Sequence, residues 1–193
     1  MKKEITVAVL AVQGAFIEHE KRLQQLGVSY IELRQKKDLE QPFDALVLPG
    51  GESTVQGKLL RELELFDALR ERIRAGMPVF ATCAGMILLA EHISNDAHVY
   101  FGTLPVTVQR NAYGRQLGSF RRAENFKGIG QYDMTFIRAP YVQDPGETQV
   151  LATVDGNVVA VRYQNQIGLA FHPELGKDLR IHEMFLELCN QSA

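Results

Sequence analysis

Residues 77–86 read Met-Pro-Val-Phe-Ala-Thr-Cys-Ala-Gly-Met. Val79 to Ala81 is apolar at every position, so the segment cannot alternate between core and solvent. That pattern describes a strand covered on both faces. An apolar helical pattern begins at Met86, only four residues after Thr82. The same logic recurs upstream. Ile5 to Val12 is a buried strand, Gln13-Gly14 a loop, and Ala15 to Leu26 a helix ending at Gly27. Val28 to Leu33 is a second strand, joined through the polar Arg34 to Gln41 and Pro42 to a third, Ala45 to Leu48. Pro49-Gly50-Gly51-Glu52-Ser53-Thr54 follows, and then Leu59, Leu63, Phe66, Leu69 and Ile73 recur at helical spacing up to Gly76. Continuous apolar strands alternating with helices predict an α/β fold, a mostly parallel central sheet with helices on both faces.

Beyond His92 the character changes. Leu104 to Gln109, Met134 to Ile137, Val150 to Val154, Val158 to Tyr163 and Ile167 to Phe171 read as strands. Asp155-Gly156-Asn157 and Gln164-Asn165 are tight-turn signals, so antiparallel hairpins are expected in the second half. A closing amphipathic helix spans Leu179 to Cys189, with Cys189 on its apolar side. The 193 residues carry no repeat, low-complexity tract or linker, which suits a single domain over residues 1–193.

Composition narrows the partners. A net charge of −2 gives no general reason to expect nucleic acid or an anionic membrane. Cys83 and Cys189 are far apart and form no Cys-x-x-Cys pair, which argues against zinc, any other metal and thioredoxin-like chemistry. Reduced thiols fit a cytoplasmic protein. Lys2 and Lys3 precede an apolar run, but Glu4 interrupts them and no small-residue cleavage pattern follows, unlike a secretory signal. No run is long enough to span a membrane.

Cys83, between a buried strand and a helix start, has the placement of a nucleophile at a strand-turn-helix elbow, where the helix dipole favours thiolate. A buried cysteine filling a tight corner has the same local sequence. A nucleophilic thiol needs a base and a group to orient that base. Of five histidines, only His172 directly follows a buried strand and has a carboxylate two residues on, Glu174. Pro173 favours an extended His172, and in an extended segment residues two apart share a side. Both strand ends would then face the edge where open α/β sheets bind ligands. The alternative is a surface turn. Gly50-Gly51 can present N–H groups at close range, as an oxyanion hole with Ala84 requires. It can also be an ordinary turn before a helix capped by Ser53 or Thr54. A phosphate cradle would need the Walker lysine, which is absent.

The order Cys, then His-x-Glu, with an earlier Pro-Gly-Gly loop, resembles the triad-type class I glutamine amidotransferases, whose fold is flavodoxin-like. More narrowly, Leu10 to His19, Leu48 to Thr54, Thr82 to Met86, Arg110 to Phe120 and Phe136 to Pro140 resemble the glutaminase subunits of pyridoxal 5′-phosphate synthase. The resemblance implies hydrolysis of L-glutamine to glutamate and ammonia. Cys83 would attack the side-chain amide and form a thioester. His172 would move the proton, and Glu174 would orient His172. The N–H groups of Gly51 and Ala84 would hold the oxyanion. Gly51, Glu52, Ser53, Arg110, Ile137 and Arg138 would bind the substrate. It implies a barrel-shaped synthase subunit as ammonia acceptor, with pyridoxal 5′-phosphate the product of the complex and no cofactor in this chain. Gln13 and His19 are expected on the docking surface, because a partner that moves the Gly50-Gly51 backbone would switch the enzyme. Ala81 departs from the family, which usually has glycine there, and slight strain at the elbow is expected. A γ-glutamyl hydrolase, a cysteine peptidase and a non-catalytic regulatory subunit are the competing readings. RNA binding by Arg110, Arg115, Arg121 and Arg122 with Tyr113 and Phe120 ranks below glutamine recognition.

Overall fold

The computed structural model describes residues 4–112 and 118–192. Tyr113 and Arg115 lie outside the described residues. The first half runs β1 (Thr6–Leu10), α1 (Phe16–Gln25), β2 (Ser29–Leu33), β3 (Ala45–Leu48), α2 (Ser53–Glu62), α3 (Phe66–Arg74), β4 (Val79–Thr82), α4 (Ala84–Leu89) and β5 (Ala90–Ile93). The second half adds β6 (Leu104–Gln109), β7 (Ser119–Phe126), β8 (Gly130–Ile137), β9 (Tyr141–Asp144), β10 (Gln149–Val154), β11 (Asn157–Tyr163), β12 (Gln166–Leu169) and α5 (Arg180–Gln191).

The centre is a parallel sheet in the order β2-β1-β3-β4-β12. Antiparallel strands β11, β9 and β6 extend it from β12, β5 pairs in parallel with β6, and β10 lies against β11. β7 and β8 form a separate hairpin. Helices cover both faces of the parallel part, as the alternating pleat shows. On one face Phe80 of β4 stacks on Phe185 of α5 at 5.2 Å and meets His19 of α1 edge-on at 5.7 Å. The neighbouring residue Ala81 points the other way, level with Leu48 and Gly168. That face is capped by α4: a side chain at Gly168 would meet Met86, and one at Gly85 would meet Leu48. Each fully buried Leu, Val or Phe of these strands contributes about 1.5–3 kcal/mol through removal from water.

Two features of the sequence resolve differently from expectation. The helical spacing from Leu59 to Ile73 is carried by two helices, not one. Glu64 takes a left-handed backbone, φ 55°, and Leu65 N–H donates to Leu60 O at 2.9 Å, the closure of a helix C-terminus. The break turns both Leu65 and Phe66 into the core. Strands β5, β7 and β9 were not expected. β7, Ser-Phe-Arg-Arg-Ala-Glu-Asn-Phe, is mostly exposed and pairs only with β8, so burial leaves no apolar pattern on it. The tight turns at Asp155-Gly156 and Gln164-Asn165 are present, with Asp155, Gly156 and Gln164 at positive φ. Cys189 is core packing, and burial pushes its thiol up to about 12. Among the described residues no helix is long and apolar enough to cross a membrane.

Gly85 is where the elbow is tightest, since a Cβ there would lie 2.1 Å from Leu48 O. Backbone cannot yield as a flexible side chain can. Gly85→Ala is therefore expected to lower unfolding free energy by about 1–3 kcal/mol. Gly118→Ala, whose Cβ would meet nothing within 4 Å, should stay within about 0.5 kcal/mol of wild type. Urea denaturation of both variants checks this.

Candidate active site

Cys83 lies at the C-terminal end of β4, and its main-chain N–H donates to Leu169 O at 2.7 Å, at the end of β12. Its backbone is φ 49°, ψ −105°, a strained conformation for a residue with a side chain. The chain turns there straight into α4, all of it buried. His172 follows β12 by three residues, so the parallel pairing of β4 and β12 delivers thiol and imidazole to the same sheet edge. His172 N–H is fixed to Thr135 O of β8 at 2.8 Å. Its Nδ1 is 2.6 Å from Glu174 Oε1. His172, at φ −114° and ψ 83°, stays out of the helical region as Pro173 favours without being fully extended, and Pro173–Leu175 is one 3-10 turn. The carboxylate reaches the ring by this turn.

Gly50 fits between the two reactive residues. A Cβ on it would lie 2.3 Å from His172 Cε1 and 3.3 Å from Cys83 Cβ. Its N–H donates to Thr82 Oγ1 at 3.0 Å, and its carbonyl accepts Ala15 N–H at 2.9 Å. Gln13 Oε1 accepts Glu52 N–H at 2.9 Å, and buried Gln56 donates to the carbonyls of Gln13 and Pro49. The Pro49 to Glu52 loop is thus laced to the loop after β1. Ala84 opens α4, at a position whose N–H has no partner within its own helix. Ser53 is buried in the first turn of α2, and neither it nor Thr54 caps that helix; Glu52 is the cap position, without a side-chain bond.

A cavity of about 250 Å³ opens beside the thiol, walled by the Gly50-Gly51 loop, Cys83, His172 and Ile137. Glu52, Ser53, Arg110, Arg138 and Gln13 line it as well. Arg110 Nη1 is 2.7 Å from Asp96 Oδ2, and its Nη2 donates to Thr54 Oγ1 at 3.3 Å. The backbone N–H and ring of His98, together with Arg110, hold the Asp96 carboxyl down to about 2. Arg138 Nη2 donates to Glu52 Oε1 at 2.9 Å across the mouth. Ile137 O lies 4.0 Å from Cys83 Sγ.

Burial opposes the charged form of His172. The hydrogen bonds to Cys83 and Glu174 outweigh it and push the ring up to about 10. Glu174, fully buried, would rise through burial, but His19 and His172 beside it bring its carboxyl below the usual range.

One expectation is overturned. His19 is 0% exposed and cannot touch a partner; it packs behind the triad. Gln13 is half-buried in the pocket wall. Ala81 pairs with Leu48 and Gly168 without a register shift, and the unusual backbone sits at Cys83 instead. Sequence reasoning passed over Thr82, Gln56 and Asp96. His19 shares the buried side of α1 with Leu23, one turn on.

Residues 9–191 match the family model described as the SNO glutamine amidotransferase family. The chain belongs to the SNO glutamine amidotransferase family. It is 65% identical over 182 residues to a protein of Desulfitobacterium hafniense named pyridoxal 5′-phosphate synthase subunit PdxT, covering 94% of this chain and 92% of that one. Proteins of the same name from Methanocorpusculum labreanum and Streptococcus pneumoniae are 54% and 48% identical, with at least 94% of each chain covered. A crystal structure described as a glutamine amidotransferase superposes with TM-score 0.89 at 44% identity, over 95% of this chain and 98% of that one. A Thermotoga maritima glutamine amidotransferase, at 19% identity and TM-score 0.65 over 98% of this chain and 85% of its own, shares the fold. This family membership accounts for the flavodoxin-like sheet with its hairpin-rich second half.

Two outcomes follow from the geometry. Gly50→Ala should drive the His172 ring from the thiol and lower kcat by about a hundredfold or more, the scale of a misplaced catalytic group. Steady-state ammonia release measures it. The raised His172 adds stability that is complete below its ordinary value of 6.5 and fades as pH rises toward about 10. The lowered Glu174 adds stability that is complete above its ordinary value of 4.5 and is lost as pH falls through its folded value. The Tm advantage of wild type over His172→Asn should therefore shrink between pH 6.5 and about 10, as calorimetry can show.

Proposed function

We propose that this chain is the glutaminase subunit of a pyridoxal 5′-phosphate synthase: it hydrolyses L-glutamine to glutamate and ammonia and hands the ammonia to a synthase subunit. The observation that carries the reading is the 2.6 Å His172–Glu174 pair at the strand end beside Cys83, opening onto a pocket with two arginines at its rim.

In this mechanism Cys83 passes its proton to His172, and the thiolate attacks the amide carbon of glutamine. The tetrahedral intermediate places negative charge on oxygen, which the N–H groups of Gly51 and Ala84 stabilise. One such donor is typically worth about 2.7–4 kcal/mol. His172 then gives its proton to the departing nitrogen, ammonia leaves and a thioester forms. A water molecule, giving a proton to His172, attacks the thioester and releases glutamate and the free thiol. Glu174 fixes the ring so that Nε2 faces the sulfur throughout.

Amino-acid recognition follows from charge. Arg110 offers a planar fork to the α-carboxylate of the substrate. Arg138 and Glu52 form an exposed ion pair, and such pairs contribute about 0–1 kcal/mol. They are readily exchanged for the carboxylate and ammonium of the substrate. Ser53 and Ile137 complete the wall. The acceptor is a barrel-shaped subunit, reached from the side of the Gln13 loop, and pyridoxal 5′-phosphate is its product. This chain uses no cofactor in its own step, and the reaction belongs in the cytoplasm, where Cys83 stays reduced.

Ammonia release from glutamine, with and without the synthase subunit, is the test. Cys83→Ala and Cys83→Ser should abolish it while the fold, read by circular dichroism, is kept. Glutamine should slow alkylation of Cys83. Ammonia release that survives loss of the thiol would overturn the reading.

A further inference from the structure

Behind the triad lies a second buried polar cluster. His19 Nε2 is 3.1 Å from Thr82 Oγ1 and 3.5 Å from Glu174 Oε2. His19 Nδ1 is 3.3 Å from His182 Nε2 on α5. Thr82 Oγ1 also accepts the N–H of Gly50. His172 takes Glu174 Oε1, whereas Oε2 is buried and makes no hydrogen bond of ordinary length. A carboxylate oxygen removed from water without a donor is strongly destabilising. His19 Nε2 is placed to relieve it.

The network decides the tautomers. If His182 Nε2–H donates to His19 Nδ1, then His19 carries its proton on Nε2, facing both Thr82 Oγ1 and Glu174 Oε2. Among the described residues, this leaves without a partner the bare His182 Nδ1 and the hydroxyl proton of Thr82, both milder losses than a stranded ring N–H beside a carboxylate. The opposite choice would aim a His19 lone pair at the carboxylate and strand a buried N–H on His182. The first arrangement is favoured on both counts.

The groups around His19 leave it a neutral donor. Burial, the largest influence, drives it below its ordinary value; Glu174 opposes this, His172 reinforces it and Glu18 opposes it weakly. Arg22, on the same helix, donates to Glu174 O at 3.0 Å. His182 is itself held neutral by burial, and Phe80 presents a ring edge.

We infer that His19 is a positioning residue for glutamine hydrolysis, which through Thr82 ties the triad acid Glu174 to the Gly50 end of the oxyanion loop. One buried hydroxyl then links the two parts of the site that must agree in geometry, the proton carrier and the charge-stabilising loop. The inference rests on the glutaminase reading above. It assigns His19 a role on the inner side of α1, where no partner reaches.

The experiment compares His19→Leu with His19→Gln, whose amide nitrogen is the conservative donor, both assayed with the synthase subunit present. His19→Leu should lower kcat about tenfold to a hundredfold, the scale of one hydrogen bond to a charged group, with KM within about threefold. The acid limb of kcat should move to higher pH, because Glu174 loses a donor to its charged form. The acid limb of Cys83 alkylation by iodoacetamide should move the same way, and His19→Gln should recover most of both. A folded His19→Leu with wild-type kcat and an unmoved limb would overturn the inference. So would equal losses in both variants with the limb unmoved, which is what mere packing predicts. Should His19→Leu fail to fold, Thr82→Val against Thr82→Ser decides. The valine variant should lose about tenfold in kcat while serine stays within about threefold, and wild-type kcat in Thr82→Val would be fatal. If the wild-type protein releases no ammonia from glutamine, the glutaminase reading fails instead, and the alkylation profile still tests the link between His19 and the triad.

Discussion

The hydrogen-bonded edge between β4 and β12 is the constraint on which the site depends. Ala81 pairs with Gly168 and Thr82 with Leu169, and the ladder ends on the 2.7 Å bond from Cys83 N–H to Leu169 O. That last bond holds the thiol-bearing residue level with the end of the strand that carries His172. Because strands in a parallel sheet end at the same edge, residues 89 positions apart in sequence become neighbours without any long loop. Both strands are buried on both faces, so a slip of one residue would send every side chain into the opposite helix layer and spoil the packing of both. The register of the core and the geometry of the chemistry are therefore the same constraint.

The strained backbone of Cys83 follows from this. With its N–H committed to Leu169 and α4 beginning at the next residue, the chain has no spare residue in which to turn. A left-handed φ of 49° is the way to make the corner. A single residue in such a region is destabilising by about 1–3 kcal/mol, which the buried α4 and the parallel strands offset. The corner leaves the thiol at the helix start and on the pocket wall. It also explains why glycines surround the corner: Gly85 clears Leu48 O, and Gly50 clears the His172 ring.

Much of this was legible in the sequence, and the rest was hidden for identifiable reasons. Continuous apolar runs such as Ala45 to Leu48 identify central strands because both faces are buried. The turn at Asp155-Gly156 is legible because few residues accept positive φ. β7 is not legible, because a hairpin with one wet face and charged side chains resembles a loop. Cys83 and His-Pro-Glu announce themselves by their positions after apolar runs. His19 was misplaced because it sits in a helix whose sequence is largely polar, Phe-Ile-Glu-His-Glu-Lys-Arg-Leu-Gln-Gln, and a histidine there reads as surface. Only the packing of α1 and α5 against Phe80 turns it inward. Family resemblance pointed to Arg110 and Arg138, which line the pocket but which nothing in their local pattern marks.

The division of charge around the pocket bears on how such a site discriminates. Toward the core lies the hydrogen-bonded His172–Glu174 pair, largely excluded from water. At the mouth lie Arg110–Asp96 and Arg138–Glu52, nearer solvent. Interactions of the inner pair are little screened, whereas exposed pairs are weakened by salt and by competing water. A free amino acid carries both charges of its backbone next to each other, and only the rim offers both partners. Its uncharged amide can then enter the drier end near Cys83 without carrying charge into it. On the proposed assignment of Arg110, Arg138 and Glu52, a peptide bond, lacking both terminal charges, would leave the rim pairs unexchanged and gain nothing from them, whereas a single amino acid would engage both.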